Sequence, residues 1–158
     1  MVEILAEFDN AKKHLKLADH MLTMTYPVVN DPKLLLSVIE NLNLTFSSAI
    51  SAVLMYERDL RQIPPYHDTI DGRLDFFKNK SAEKFNISPN YIKMIEEIKD
   101  LVQEHKESPI EFSKKNEYVI CSDEFKRLKT INIKEMKEYI AKAKLFIAEI
   151  SNIIEAKK

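Results

Sequence analysis

The sequence predicts an all-α protein, an up-and-down bundle of about five helices with a short hairpin or loop inserted near residues 110–131. Apolar residues recur at steps of three and four in five separate stretches, which is the spacing of a helix with one buried face. Prolines stand between these stretches, where they end one helix or begin the next. The 158 residues, 45% hydrophobic and 31% charged, are typical of one core. We therefore expect residues 1–158 to form a single helical-bundle domain.

The first two helices are predicted over residues 2–25 and about 32–62. Pro27 ends the first helix, and Asp31 with Pro32 supplies an N-cap and a first helical position for the second. The second helix is apolar on most sides, which indicates the central element of the bundle. It stops before two consecutive prolines, because proline lacks an N–H and restricts the residue before it.

The third and fourth helices are predicted at about 69–84 and from residue 88 to about 108. Asp68 is the expected N-cap of the third helix, and Gly72 weakens that helix locally. Ser88 and Pro89 supply an N-cap and a first position for the fourth.

The helical pattern breaks between residues 110 and 131. Two short β-like runs, at 118–121 and 125–131, predict a small hairpin or an ordered loop. A fifth helix follows, with Asn132 and Glu135 as a capping box. Its strict three-four apolar spacing indicates packing against a long partner, either the first helix or the copy in a second protomer. The seam residues are Ile133, Met136, Ile140, Ala143, Ile147, Ile150 and Ile154.

The composition argues against several functional classes. The formal net charge of −1 provides no overall attraction to nucleic acid or lipid. Cys121 is the only cysteine, so no intramolecular disulfide can form, and we expect a reducing compartment, the cytoplasm. The N-terminus does not show the pattern of a signal peptide, and no uninterrupted run of about 18 apolar residues predicts a membrane span.

No cofactor or metal is predicted. Gly72 is the only glycine, whereas phosphate loops, dinucleotide-binding turns and nucleophile elbows use glycine where the backbone approaches a ligand, so a nucleotide cofactor is not expected. No histidine is part of the Glu-x-x-His pair that ligates metals in helical bundles, and zinc bound through cysteine would need a second cysteine. His14, His20 and His105 are interpreted as packing or solvated residues.

Arg61 and His67 are the catalytic candidates. They stand six residues apart across the corner formed by Pro64 and Pro65. An imidazole can act as general acid or base near neutral pH, and a guanidinium can hold a phosphate by two hydrogen bonds. Together they would suit cleavage of RNA by its own 2′-hydroxyl without a metal. The alternative interpretation is a helix end followed by a surface loop.

On these residues the chain resembles the HEPN superfamily, small helical bundles that commonly dimerise and whose nuclease members carry an Arg, four to six residues, and then a His. The resemblance extends to the five-helix plan over most of the chain. It implies that two protomers bring two pairs of Arg61 and His67 into one cleft. Gln62 and the prolines of the spacer differ from the nuclease pattern, which favours the non-catalytic binding modules of the superfamily.

A second candidate site lies in residues 112–144, which hold nine basic and five acidic residues. Basic side chains there surround Phe112, Tyr118 and Phe125, a mixture that single-stranded nucleic acid surfaces use for phosphate attraction and base stacking. The alternative is a solvated loop whose aromatic side chains lie in the core. The nucleic-acid-binding candidates are Lys114, Lys115, Lys126, Arg127 and Lys129.

Three functions follow from these observations. The leading hypothesis is a non-enzymatic HEPN-like interaction module, a homodimer that binds a protein or nucleic acid partner. The alternative is a metal-independent endoribonuclease in which His67 is the acid or base and Arg61 holds the phosphate. The third is an RNA-binding protein that uses the basic region alone.

Overall fold

The computed structural model describes residues 1–108, 110–121 and 128–155, and about 75% of these residues are helical. Five helices and one three-stranded antiparallel sheet make up the described part of the chain. The helices are α1 (residues 2–29), α2 (Leu34–Asp59), α3 (residues 70–84), α4 (Pro89–Glu107) and α5 (Ile133–Glu155), and the strands are β1 (Ile110–Lys114), β2 (Glu117–Cys121) and β3 (Leu128–Asn132). The five helices are confirmed, but the fold is not purely all-α because a small three-stranded sheet belongs to it.

Helix α1 continues beyond the predicted end at residue 25. Its parts are an α-helix Val2–His20, a π-helical turn Met21–Thr25 and a last turn Tyr26–Val29. Pro27 has no N–H for the carbonyl four residues back, and its ring crowds that carbonyl. In the π turn the Tyr26 N–H donates to the Met21 carbonyl, five residues back. This wider turn lets the helix pass the proline, so that α1 ends only at Asn30, which has a left-handed φ of 55°.

Helix α2 is the central element, as predicted. It packs along α1, to which residues 30–33 join it, and it also contacts α4 and α5. A window of α2 reaches a mean hydropathy of 1.3, enough by length and composition to cross a membrane, but 61% of this window is buried within the fold. Such burial also fits a core helix. The helix starts at Leu34 rather than Pro32, and the Asp31 carboxylate accepts the Lys33 N–H at 3.0 Å in the preceding turn.

Side-chain caps begin α3 and α4. Thr69, not Asp68 as predicted, is the N-cap of α3, and its hydroxyl accepts the Gly72 N–H at 3.0 Å. The backbone of Gly72 lies against His67 so closely that a Cβ would overlap the His67 carbonyl oxygen. Glycine is therefore required here by close approach. Ser88 caps α4 as predicted, its hydroxyl accepting a backbone N–H at 3.2 Å.

The sheet has the order β1-β2-β3. Strands β2 and β3 form the hairpin that the sequence predicts, although the residues predicted to turn between them lie outside the described ranges. Strand β1 was not predicted. It pairs antiparallel with β2, with Lys114 opposite Glu117 across a two-residue turn. Asn116 in this turn has a φ of 60°, a left-handed conformation that asparagine tolerates better than most residues.

Helix α5 closes the bundle against α2 and α1 of the same chain. Met136, Phe146 and Ile150 are fully buried in this contact. The sequence left open whether this regular seam packs within the chain or against a second protomer. In the structure it packs against helices of the same chain. The predicted cap is confirmed, because the Asn132 Oδ1 accepts the Glu135 N–H at 2.8 Å.

Candidate functional site

Arg61 is the second residue after the end of α2 and has a left-handed φ of 55°. The Arg61 N–H donates to the Arg58 carbonyl at 2.9 Å, and the Gln62 N–H donates to the Glu57 carbonyl at 3.0 Å. These two bonds form a Schellman motif, in which the left-handed residue is usually glycine because a Cβ is disfavoured there. The helix therefore ends at Asp59 rather than at the predicted residue 62, and the Arg61 backbone conformation costs about 1 kcal/mol.

His67 lies in the loop between α2 and α3, and aromatic contacts hold this loop on the bundle. The ring centroids of Tyr66 and Phe76 are 5.5 Å apart, and the Arg58 guanidinium carbon lies 5.9 Å from the Tyr66 centroid. The His67 carbonyl accepts the Thr69 N–H at 2.9 Å. The backbone of His67 is thus fixed, while its imidazole remains exposed.

Arg61 and His67 stand at the two ends of one short surface segment, and both side chains are exposed. Between them a small cavity of about 170 Å³ is lined by loop residues, including Pro64 and Tyr66, and by Arg58 of α2. Neither Arg61 nor His67 lines this cavity. The cleft between two protomers that the HEPN resemblance implies stays a prediction.

The sheet separates the predicted nucleic-acid-binding residues. Lys114 pairs with Glu117 of β2, which in turn pairs with Asn132 of β3, three positions from Lys129. Because side chains alternate along a strand, Lys114 and Lys129 lie on opposite faces of the sheet. Lys115 is in the turn between β1 and β2. Lys126 and Arg127 lie outside the described residues. The described candidates Lys114 and Lys129 therefore do not share one face of the sheet.

The face of the sheet turned away from the bundle carries an apolar patch beside a polar row formed by Lys114, Glu117 and Asn132. Ile110, Phe112 and Leu128 are 43%, 41% and 64% exposed, whereas Val119 and Cys121 between them are buried. We call these five residues the outer face. Cross-strand pairing aligns Ile110 with Cys121 and Leu128 in one row, and Phe112 with Val119 in the next. An antiparallel sheet that covers a core with one face usually has polar residues on the other.

The aromatic candidates of the basic stretch have different surroundings. Tyr118 points to the bundle and belongs to its core, and burial, followed by the charge of Glu111, raises the pKa of its phenol. Phe112 points outward, with the Lys114 ammonium 5.9 Å from its ring centroid. Phe125 lies outside the described residues. Tyr118 therefore agrees with the interpretation that the aromatic side chains lie in the core, whereas Phe112 agrees with the interpretation that they belong to an exposed surface.

The polar cluster around His105 was not predicted from the sequence. The His105 Nδ1 lies 2.8 Å from both carboxylate oxygens of Glu111 on β1, and its Nε2 lies 3.7 Å from the carboxylate of Glu40 on α2. The imidazole thus ties α4 to the sheet and to the central helix. Recognising β1 from its alternating apolar and polar residues would have placed Glu111 on the face turned toward the bundle.

A buried ionic network beneath Arg61 was also missed. Glu57 is 1% exposed and accepts hydrogen bonds from the Ser81 hydroxyl and from the Lys84 ammonium, the latter at 3.4 Å. Lys84 also donates to the Gln62 side-chain oxygen at 2.7 Å. A buried carboxylate is costly unless it is paired and hydrogen-bonded, so this network fixes the end of α2 on α3. The one sequence signal was an acidic residue within a mostly apolar helix.

Two arrangements of described residues are therefore candidates for function: the exposed segment from Arg61 to His67 and the outer face of the sheet. No three His, Cys, Asp or Glu side chains within the described ranges are grouped so as to hold a metal ion. Comparison of the chain with protein-family models, with curated proteins and with solved structures finds no match.

Proposed function

We propose that this chain is a non-enzymatic, HEPN-like interaction module, an up-and-down bundle that works as a homodimer in the cytoplasm. The observation that supports the proposal is the outer face. Exposed apolar patches with polar surroundings are typical of protein interaction sites, and the three exposed side chains here lie on β1 and β3, on either side of the buried Val119 and Cys121 of β2. A protein partner is favoured over nucleic acid because Lys114 and Lys129 lie on opposite faces of the sheet.

We propose that the homodimer joins two copies of the chain through β1, the strand that carries Ile110 and Phe112 of the outer face. Within the described residues β1 is an edge strand, and edge strands offer unpaired N–H and C=O groups to another strand. Antiparallel pairing about a two-fold axis at Phe112 places this residue opposite its own copy and Glu111 opposite Ser113. Ile110 then lies opposite Lys114. No like charges face each other, and the two outer faces lie on the same side of the joined sheet, where they meet at Phe112.

Sedimentation velocity at several concentrations tests the dimer. We expect Phe112→Lys to weaken association about tenfold or more, because two ammonium groups then meet at the axis. An equimolar mixture of Phe112→Lys and Phe112→Glu should restore dimers, since residue 112 of one protomer faces residue 112 of the other. Leu145→Lys, at a 59% exposed apolar residue of α5, is the matched control. Dimers of Phe112→Lys as strong as those of the wild type would contradict pairing through β1.

A metal-independent endoribonuclease is the second candidate function, and the backbone of Arg61 favours it. Residues other than glycine in a left-handed conformation are concentrated at functional sites. In this proposal Arg61 holds the scissile phosphate by its guanidinium, and the His67 imidazole takes or gives the proton of the reacting hydroxyl. Both side chains are exposed and can reach a bound RNA strand.

Incubation of the protein with mixed-sequence labelled RNA in EDTA tests this second function. If it is correct, the wild type cleaves RNA, and His67→Ala and Arg61→Gly each lose the activity. Arg61→Gly is preferred to alanine because glycine accepts the left-handed backbone without strain. His20→Ala, at another exposed histidine, should retain the activity. Lack of cleavage by the wild type would leave the interaction module alone.

A further inference from the structure

The cavity of about 170 Å³ in the segment from Arg61 to His67 combines an apolar wall with a few polar side chains. This is the usual construction of a small-molecule site, and the volume is below that of sites for drug-sized molecules, so the ligand must be small. The apolar wall consists of Ile63, Pro64 and Pro65, and the polar residues are Arg58, Tyr66 and Asp68.

The backbone around this cavity is fixed before any ligand binds. The two prolines have a locked φ, and each restricts the residue before it to extended conformations. At one end of the segment the Gln62 N–H donates to the Glu57 carbonyl, and at the other end the Thr69 N–H donates to the His67 carbonyl. Binding at the cavity therefore costs little conformational entropy of the protein.

The two charged residues of the cavity have complementary hydrogen-bonding capacities. Arg58 carries a planar guanidinium that can donate two parallel hydrogen bonds, and Asp68 carries a carboxylate that can accept two. The Arg58 guanidinium carbon lies 5.9 Å from the Tyr66 ring centroid, and this contact keeps it beside the cavity. The Asp68 side chain is 67% exposed, although its Oδ1 lies 3.8 Å from the Arg73 guanidinium, so the carboxylate is accessible to a ligand.

Guanine is the nucleobase that matches both charged groups. Its O6 and N7 are adjacent acceptors, which an arginine contacts by two hydrogen bonds. Its Watson–Crick edge also presents adjacent N–H donors, which one carboxylate can accept together. Adenine has an amino group in place of O6 and would turn a donor toward Arg58, and the pyrimidines have no N7.

We propose that this cavity binds the guanine base of an RNA strand whose phosphate is held by Arg61. The base packs against Pro64 and Pro65, its O6 and N7 accept hydrogen bonds from Arg58, and its N–H groups donate to Asp68. For the strand and its phosphate, this inference rests on the endoribonuclease proposal. A free guanine nucleotide shares the chemistry of the base, and the test distinguishes the two sources.

Calorimetric titration of the full chain with the four nucleoside 3′-monophosphates tests the base preference, because their phosphate and ribose are identical. We expect the guanosine nucleotide to bind at least about tenfold more tightly than the other three. Asp68→Asn and Arg58→Lys should each reduce this preference to about threefold or less, because asparagine loses one acceptor and lysine cannot donate two parallel bonds. Asp75→Asn, at an exposed aspartate that does not line the cavity, should retain it. Circular dichroism checks that the variants are folded.

A second titration identifies the source of the base. The probe is a 2′-O-methylated heptamer of uridine with one central guanosine, which lacks the hydroxyl needed for its own cleavage. Binding of this heptamer at least as tightly as guanosine 3′-monophosphate supports an RNA strand. Weaker binding of the heptamer would overturn the assignment to RNA in favour of a free nucleotide.

Equal affinity for the four nucleotides, or lack of binding to all of them, would overturn the guanine site. An unchanged preference in Asp68→Asn would overturn it as well. Preference for the guanosine nucleotide without cleavage of RNA in EDTA would support the guanine site and contradict the endoribonuclease. Cleavage without a base preference would contradict the guanine site alone.

Discussion

At the scale of single residues, every left-handed backbone position in the described ranges is occupied by a residue other than glycine. The non-glycine residues with positive φ are Asn30, Arg61, Asn86 and Asn116 in the described ranges, and Asn is the residue that best replaces glycine in this conformation. Arg61 is the exception. A residue with a Cβ is strained in this conformation, so the chain carries the Arg61 side chain at a local energetic cost. This cost is the reason to test whether the guanidinium has a function.

We predict that Arg61→Gly raises the free energy of unfolding by about 1 kcal/mol, because glycine removes the Cβ penalty at the Schellman position. Urea denaturation measures the change. Asn86→Gly, at the equivalent position after α3, should give a smaller gain because asparagine already tolerates the left-handed conformation. A loss of stability in Arg61→Gly would show that the guanidinium makes a stabilising contact in solution that outweighs the strain.

At the scale of elements, apolar spacing and caps predicted the five helices to within a few residues. The predictions at Ser88 and Asn132 were correct because a capping side chain and the adjoining apolar stripe stand next to each other in sequence. The end of α1 was wrong because a π turn lets the helix pass Pro27. Such a turn depends on backbone geometry that leaves no residue pattern.

Strand β1 shows why the sheet was only half predicted. Its residues alternate between apolar and polar, the period of a strand, but a five-residue edge strand is a weak signal beside a basic loop. Without β1, Glu111 could not be placed next to His105, and the apolar outer face could not be recognised.

At the scale of the whole molecule, four phenols that are neutral in the fold couple its stability to alkaline pH. Burial is the main cause of the raised pKa of Tyr26, Tyr91, Tyr118 and Tyr139, and carboxylates such as Glu97 beside Tyr139 add to it. The unfolded chain loses these protons near pH 10, whereas the folded chain keeps them to higher pH. Above pH 10 the folded state therefore binds more protons, and its stability falls as pH rises.

We predict that the urea midpoint of the wild type falls between about pH 9 and about pH 11, and that Tyr139→Phe loses less over the same interval. The Tyr139 hydroxyl donates to the Glu97 carboxylate at 3.2 Å, and phenylalanine removes only this ionisable hydroxyl. Below pH 9 the two proteins should show the same dependence on pH. An equal alkaline loss in both would rule out Tyr139 as a contributor.

The four-residue connection between α1 and α2 also bears on how the protein folds. These two helices pack along each other and are adjacent in sequence, so their association closes only a short loop and costs little chain entropy. Helix α5 follows α3, α4 and the sheet in sequence, so its contacts with the same pair close a much longer loop. We expect the α1–α2 hairpin to nucleate folding and α5 to dock late. Substitutions in the α5 seam would then act mainly on the unfolding rate, so the last helix sets the lifetime of the native state.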